Sequence, residues 1–140
     1  MVVGADVQAV VAAEDAIAQR LLKVFRDLGV SRTRLTGGEP LLRPDLGDIL
    51  SELAGLGIED VSITTNGTRF TPEALDFLRP WIAAYKIDLK GFDDKRYRTL
   101  GGTLEHVTEG IRMVHERGLW LEVVTLVVPG FNDSEAELRE

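Results

Sequence analysis

The 140-residue chain contains no cysteine. That single absence removes disulfides and every metal site built on thiolates. Positive charge is also scarce: 16 Lys and Arg stand against 23 Asp and Glu, a formal net charge of −7. No general positive field exists to draw nucleic-acid phosphates or an anionic membrane surface, so neither is expected as a partner. Apolar runs stay well below the roughly 20 residues that cross a bilayer. The opening "MVVGADVQAVVAAED" lacks the basic flank of a secretory signal. A cytoplasmic location is the resulting expectation. With 44% hydrophobic residues, the chain has enough apolar material for one domain with a core.

Helix and strand signals take turns along the sequence. Val10, Ile17, Leu21, Val24, Phe25 and Leu28 recur at near-helical spacing, with Gly29 placed as a helix-ending glycine. "VSRTRLT" reads as a strand. Leu46, Ile49, Leu50, Leu53 and Leu56 stripe a second helix that Gly57 closes, and "IEDVSITT" is the next strand. Thr71-Pro72-Glu73 supplies a hydroxyl cap, a first-turn proline and an acidic first turn to a third helix. "WIAAYKIDLK" and "LWLEVVTLVVPG" read as strands, separated by a helix carrying Val107, Ile111 and Val114. Ser134 with Glu137 has capping-box spacing.

This alternation predicts an α/β fold with four parallel strands paired in sequence order, "RTRLT", "DVSIT", "YKIDL" and "LEVVTLVV". The richness in Val, Ile and Leu predicts strands buried on both faces. Periodicity alone leaves part of a β/α barrel and an open doubly wound sheet equally possible. In both, the chemistry belongs to the loops after the strands: "TGGEP", "TTNGT", "DLKGFDD" and "VVPGFND". In the first of these, Gly37 and Gly38 let the backbone turn sharply beside a ligand, and Pro40 biases Glu39 toward an extended geometry. Free carbonyls beside a carboxylate make an acceptor-rich corner suited to an ammonium group. A tight strand-to-helix connection with an incidental glutamate explains the tetrapeptide equally well.

With its surroundings, "TGGEPLLRPDL" resembles the radical S-adenosylmethionine (SAM) superfamily, whose GGEP-type motif binds the amino group of the cofactor's methionine. "RLTGGEPLLRPDL" and "VSITTNGT" are similar to the molybdenum-cofactor biosynthesis protein A branch. "YKIDLKGFDDKRYRTLGG" and "WLEVVTLVVPGFNDSEAELRE" are similar to pyruvate formate-lyase activating enzymes. The resemblance covers about Glu14 to Glu140. It implies a partial parallel β/α barrel of about four β/α units, residues 1–140 forming one partial core domain whose first strand and last strand lie outside the chain. It also implies reductive cleavage of SAM to a 5′-deoxyadenosyl radical, with a protein substrate in some branches.

Carried over by position, Gly37, Gly38, Glu39 and Pro40 would hold the methionine amino group. Thr64 stands where activating enzymes have an aspartate near a monovalent cation, and Asn66 shapes the following loop. Asp88 and Lys90 would lie near the cofactor carboxylate; alternating with Ile87 and Leu89, they can share one side of a strand end. A structural ion pair is the competing reading. Val127 to Gly130 fit an adenine contact or, for Val127 and Val128, core packing.

The family's chemistry needs a four-iron four-sulfur cluster held by a CxxxCxxC loop, and this chain has no cysteine to build one. His106 and His115 fall in a helical region, where solvated or capping roles are expected. No residue is therefore assigned a catalytic or metal-ligating role. Three readings follow: a fragment of a radical enzyme, inactive as it stands; a cluster-less SAM-binding or interaction module; or an ordinary β/α enzyme using Asp88 or Glu39 as a base. Unpaired sheet edges predict self-association.

Overall fold

A computed structural model describes residues 15–140. Helix α1, Asp15–Asp27, leads into strand β1, Arg32–Leu35. A short 3-10 turn, Pro40–Leu42, and α2, Leu46–Gly55, connect to β2, Asp60–Thr65. Helix α3, Pro72–Leu78, precedes β3, Ile82–Asp88. Two helices, α4 at Asp94–Thr99 and α5 at Leu104–Glu116, precede β4, Trp120–Val124, and α6 covers Glu135–Arg139. The sheet order is β1-β2-β3-β4, and every neighbouring pair is parallel. The expected topology is the one observed.

Turn chemistry explains the joints. Gly29 and Gly57, both at φ 77, take the left-handed position past α1 and α2 that an L side chain resists. At α1 the Gly29 N–H donates to Arg26 O and the Val30 N–H to Phe25 O, which closes the last turn and throws the chain into β1. Thr71 caps α3 as expected, its hydroxyl accepting from the Ala74 N–H at 3.1 Å.

Burial on the strands corrects the two-sided expectation. Along β2 exposure alternates strictly: Val61, Ile63 and Thr65 are buried, while Asp60, Ser62 and Thr64 stay half-exposed. The sequence alternates polar and apolar at these positions, and helices cover only one side. At the start of β3 a one-residue irregularity pairs Val61 with Ile82 and Ser62 with Ala84. The inserted Ala83 shifts the phase, so that Ile82 and Tyr85, three apart, are both buried. Against this covered face pack Leu50 and Leu53 of α2, Leu75 and Leu78 of α3, and Val107 and Val114 of α5. Phe70 meets Tyr85 edge to face at 5.8 Å.

Other expectations shift in detail. Val10 lies outside the described residues. Leu21, Val24 and Leu28 are exposed, and among the described residues α1 reaches the core through Leu22, beside β1, the outermost of the described strands. The fourth strand stops at Val124, and Leu126, Val127 and Val128 are exposed at 70%, 49% and 40%. Core packing for Val127 and Val128 is thus overturned: no strand lies beyond β4 among the described residues to keep them in a ladder. Helix α4 was not expected, because its stretch "DKRYRT" carries no apolar stripe; Asp93 caps it by accepting from the Lys95 and Arg96 N–H groups. Both histidines are exposed on α5.

Candidate functional site

Parallel pairing brings the ends of all four strands to one edge of the sheet. Past β1, Gly37 and Gly38 turn at φ 95 and 56. Nothing lies within 4 Å of where a Gly38 Cβ would stand, so the turn opens onto free space. Glu39 then takes the extended geometry that the following proline favours, φ −125 and ψ 106, and Pro40 is buried at the start of the 3-10 turn.

Glu39 turns back toward the protein. Its Oε1 accepts from the Thr65 hydroxyl at 2.7 Å and the Leu41 N–H at 3.2 Å, and its Oε2 from the Asn66 N–H at 2.8 Å. Hydrogen bonds to a charged group contribute about 1.5–3 kcal/mol each, so this carboxylate fastens the loop after β1 to the end of β2. The Asn66 side chain is engaged locally: its Oδ1 accepts from the Thr68 N–H at 2.9 Å and hydroxyl at 2.6 Å.

Asp88 and Lys90 do share one side of the strand end, and the Lys90 Nζ lies 2.7 Å from Asp88 Oδ2. Their side chains are 32% and 38% exposed, so the pair borders solvent. Beside it, the buried Tyr97 hydroxyl accepts from the Lys90 N–H at 3.3 Å and donates to Asp88 O at 3.4 Å. Burial pushes the Tyr97 phenol above its ordinary pKa.

The uncovered face of the sheet carries polar side chains along its length. Arg32 meets Asp60 at 2.5 Å, and Lys86 meets Glu122 at 3.4 Å. Thr64 pairs in register with Lys86 on the same face. Arg34 is half-exposed there, and its Nε donates to the Ser62 hydroxyl at 3.4 Å.

The sequence reading missed Thr65, Tyr97, Asn132 and Glu137. Thr65 had a signal in the doubled threonine of "TTNG". Asn132 had one in the turn composition of "PGFND". Tyr97 acts across the fold and had none, and for Glu137 the capping-box spacing pointed to a local role rather than to the Phe92 and Asp93 N–H groups. The capping box is half formed: Ser134 accepts from the Glu137 N–H at 3.2 Å, while the Glu137 carboxylate accepts from the Phe92 and Asp93 N–H groups.

Glycine turns, a half-exposed ion pair and a polar open face thus lie where parallel β/α folds, barrels among them, place their ligand sites. A family model described as the Radical SAM superfamily matches residues 9–140. This chain belongs to the radical SAM superfamily. It is 35% identical over 130 residues to a probable GTP 3′,8-cyclase of Archaeoglobus fulgidus, covering 89% of this chain and 43% of that protein. To the GTP 3′,8-cyclase of Lactiplantibacillus plantarum it is 37% identical over 131 residues, 89% of this chain and 39% of the relative. The chain thus spans about two fifths of the length of these relatives. Among solved structures, a domain of a pyruvate-formate lyase-activating enzyme from Bacteroides vulgatus superposes with TM-score 0.67 and 27% identity, over 76% of this chain and 66% of that one. Streptococcus suis SuiB bound to S-adenosylmethionine gives 0.71 at 21% identity, over 91% and 30%, a likeness of fold.

The residues present fit one of the family's two cofactors. Lys90 offers an ammonium for a carboxylate, and the open Gly37-Gly38 turn gives an amino-acid end room to approach. The iron–sulfur cluster does not fit: the chain holds no cysteine, and among the described residues no cluster of His, Asp and Glu could hold a metal.

Proposed function

We propose that this chain supplies the methionine-binding side of a radical SAM core, with S-adenosylmethionine held over the ends of β1 to β3. The observation that carries the reading is the half-exposed Asp88–Lys90 pair beside the open glycine turn. Lys90 binds the carboxylate of the cofactor, and the turn at Gly37 and Gly38 receives the amino group. Glu39 acts chiefly by holding that turn in place, because three hydrogen bonds already occupy its carboxylate. Thr64 and Asn66 border the same loops. When bound, S-adenosylmethionine supplies a sulfonium whose reductive cleavage gives the family's radical. Without thiolate ligands this chain has no means to deliver the electron, and as it stands it binds without cleaving.

A feature of the open face supports an anionic substrate for the complete enzyme. Arg34 stands half-exposed there, and among the described residues its one partner is the Ser62 hydroxyl at 3.4 Å, on a chain of net charge −7. The relatives named as GTP 3′,8-cyclases act on such a molecule. A guanidinium suits phosphate or carboxylate through paired N–H donors.

Titration of the purified chain with S-adenosylmethionine, followed by amide NMR, tests the reading. Binding of millimolar order, about 4 kcal/mol, is expected, with shifts at residues 37–40 and 88–92. Lys90→Ala should weaken it about tenfold. Under dithionite no 5′-deoxyadenosine should form. Formation of that product, or shifts confined elsewhere, overturns the reading. Micromolar binding lost in Glu39→Ala would instead establish the cluster-less binding module.

A further inference from the structure

We infer that Asn132 is a positioning residue that locks Lys90 in place by bridging the loop after β4 to the loop after β3. The inference rests on the reading of Lys90 as the carboxylate-binding group.

Asn132 is 2% exposed, although it stands in a polar turn. Its Oδ1 accepts from the Val128 N–H at 2.6 Å. Its Nδ2 donates to Leu126 O and to Lys90 O, each at 2.9 Å. Both amide protons and a carbonyl lone pair are thus in use. Among side chains of this length only asparagine offers that set. Aspartate would turn bare oxygen toward two carbonyls, and leucine would take this partner from the Val128 N–H and from the Leu126 and Lys90 carbonyls.

The bridge ends on the residue that matters. Lys90 is held at its carbonyl by Asn132, at its N–H by Tyr97 and at its Nζ by Asp88. A lysine side chain has four rotatable bonds, and fixing its backbone on both sides leaves those torsions, with the Asp88 contact, to set the ammonium. Neighbouring contacts reinforce the same approach of the two loops. The Glu137 carboxylate takes the Phe92 and Asp93 N–H groups, and the Arg96 guanidinium lies over the Phe131 ring at 6.0 Å. Gly91, at φ 150, is squeezed between them: a Cβ there would stand 2.6 Å from Glu137 Oε1 and 3.4 Å from Asn132 Cβ. The loops pack this closely because that position has no side chain. Asn132 therefore couples the shape of the "VVPGFND" turn to the direction of the Lys90 ammonium.

The test compares Asn132→Ala, Asn132→Ser, Lys90→Ala and the double variant Asn132→Ala/Lys90→Ala in the full chain. Serine keeps a hydroxyl acceptor for Val128 and loses the reach to Lys90, so it remains informative if alanine fails to fold. In the ligand-free protein, amide hydrogen exchange at Gly91 and Phe92 should accelerate about tenfold or more in either Asn132 variant, with β1 and β2 unchanged. Acceleration confined to residues 126–131 overturns the bridge. With S-adenosylmethionine as the probe, Asn132→Ala and Lys90→Ala should each weaken binding about tenfold, and the double variant no more than Lys90→Ala alone. Losses that multiply show an effect independent of Lys90 and overturn the positioning role. If the parent chain does not bind S-adenosylmethionine, the reading of Lys90 fails and the role toward cofactor falls with it; the exchange result still decides the bridge.

Discussion

The two faces of one sheet carry opposite kinds of side chain. On the covered face Ile63, Tyr85 and Ile87 are fully buried. On the open face, one residue away along the same strands, Ser62, Thr64, Lys86 and Asp88 remain half-exposed and carry hydroxyls and charge. Period-two alternation lets a strand serve both purposes at once. Each apolar residue that anchors the sheet to the helices fixes the direction of the polar residue beside it. Stability and chemistry are thus separable by substitution while being inseparable in geometry.

The sharpest break should come from neighbours on opposite faces. Ile63→Ala is expected to cost about 2–5 kcal/mol, since it empties a fully buried site between sheet and helices. Thr64→Ala, next in sequence on the open face, should stay within about 0.5 kcal/mol. Urea unfolding midpoints at constant slope would measure both, and equal losses would abolish the distinction between faces. A smaller effect of opposite sign is expected at Tyr85. Its hydroxyl is buried without a hydrogen-bond partner among the described residues, and burial pushes its pKa up to about 12. Tyr85→Phe should leave stability unchanged or raise it by up to about 1 kcal/mol; a loss above that would reveal a partner for the hydroxyl.

The smallest effect concerns acid. The Leu104 N–H, followed by the Arg98 guanidinium, holds the Asp94 carboxyl below its ordinary value. The folded state therefore favours the ionised form. Its contribution is present above the unfolded pKa of about 3.9 and is lost as pH falls through that value toward the lower folded one. Asp94→Asn should flatten the decline in melting temperature below about pH 4 and change little at pH 7. An unchanged acid slope would remove Asp94 from the account.

Much of this architecture could be read from the sequence, for local reasons. Gly29, Gly57 and Thr71 announce helix ends because caps and left-handed turns depend on residues a few positions apart. Sequential parallel order followed from the repeated α/β alternation. One-sided burial was also written in "DVSITT", but the abundance of Val, Ile and Leu elsewhere masked it. The length of β4 was not readable, since whether Leu126 to Val128 continue a strand depends on what lies beside them. In the candidate site, spacing alone placed Asp88 beside Lys90. The occupation of Glu39 by Thr65 and Asn66, and the reach of Asn132 to Lys90, depend on contacts 26 to 42 positions apart, beyond any local pattern.

Strict sequential pairing also has a kinetic meaning. Arg32 meets Asp60, Ile63 meets Tyr85 and Ala84 meets Trp120, so each new ladder closes a loop of only one β/α unit. Closure entropy rises slowly with loop length, so the three closures differ little in cost, while parallel pairing across 22 to 36 positions keeps each of them non-local and slow. Among the described residues β1 and β4 are each bonded along one side, so on opening they are expected to release before β2 and β3, whose mutual ladder should be the last to yield.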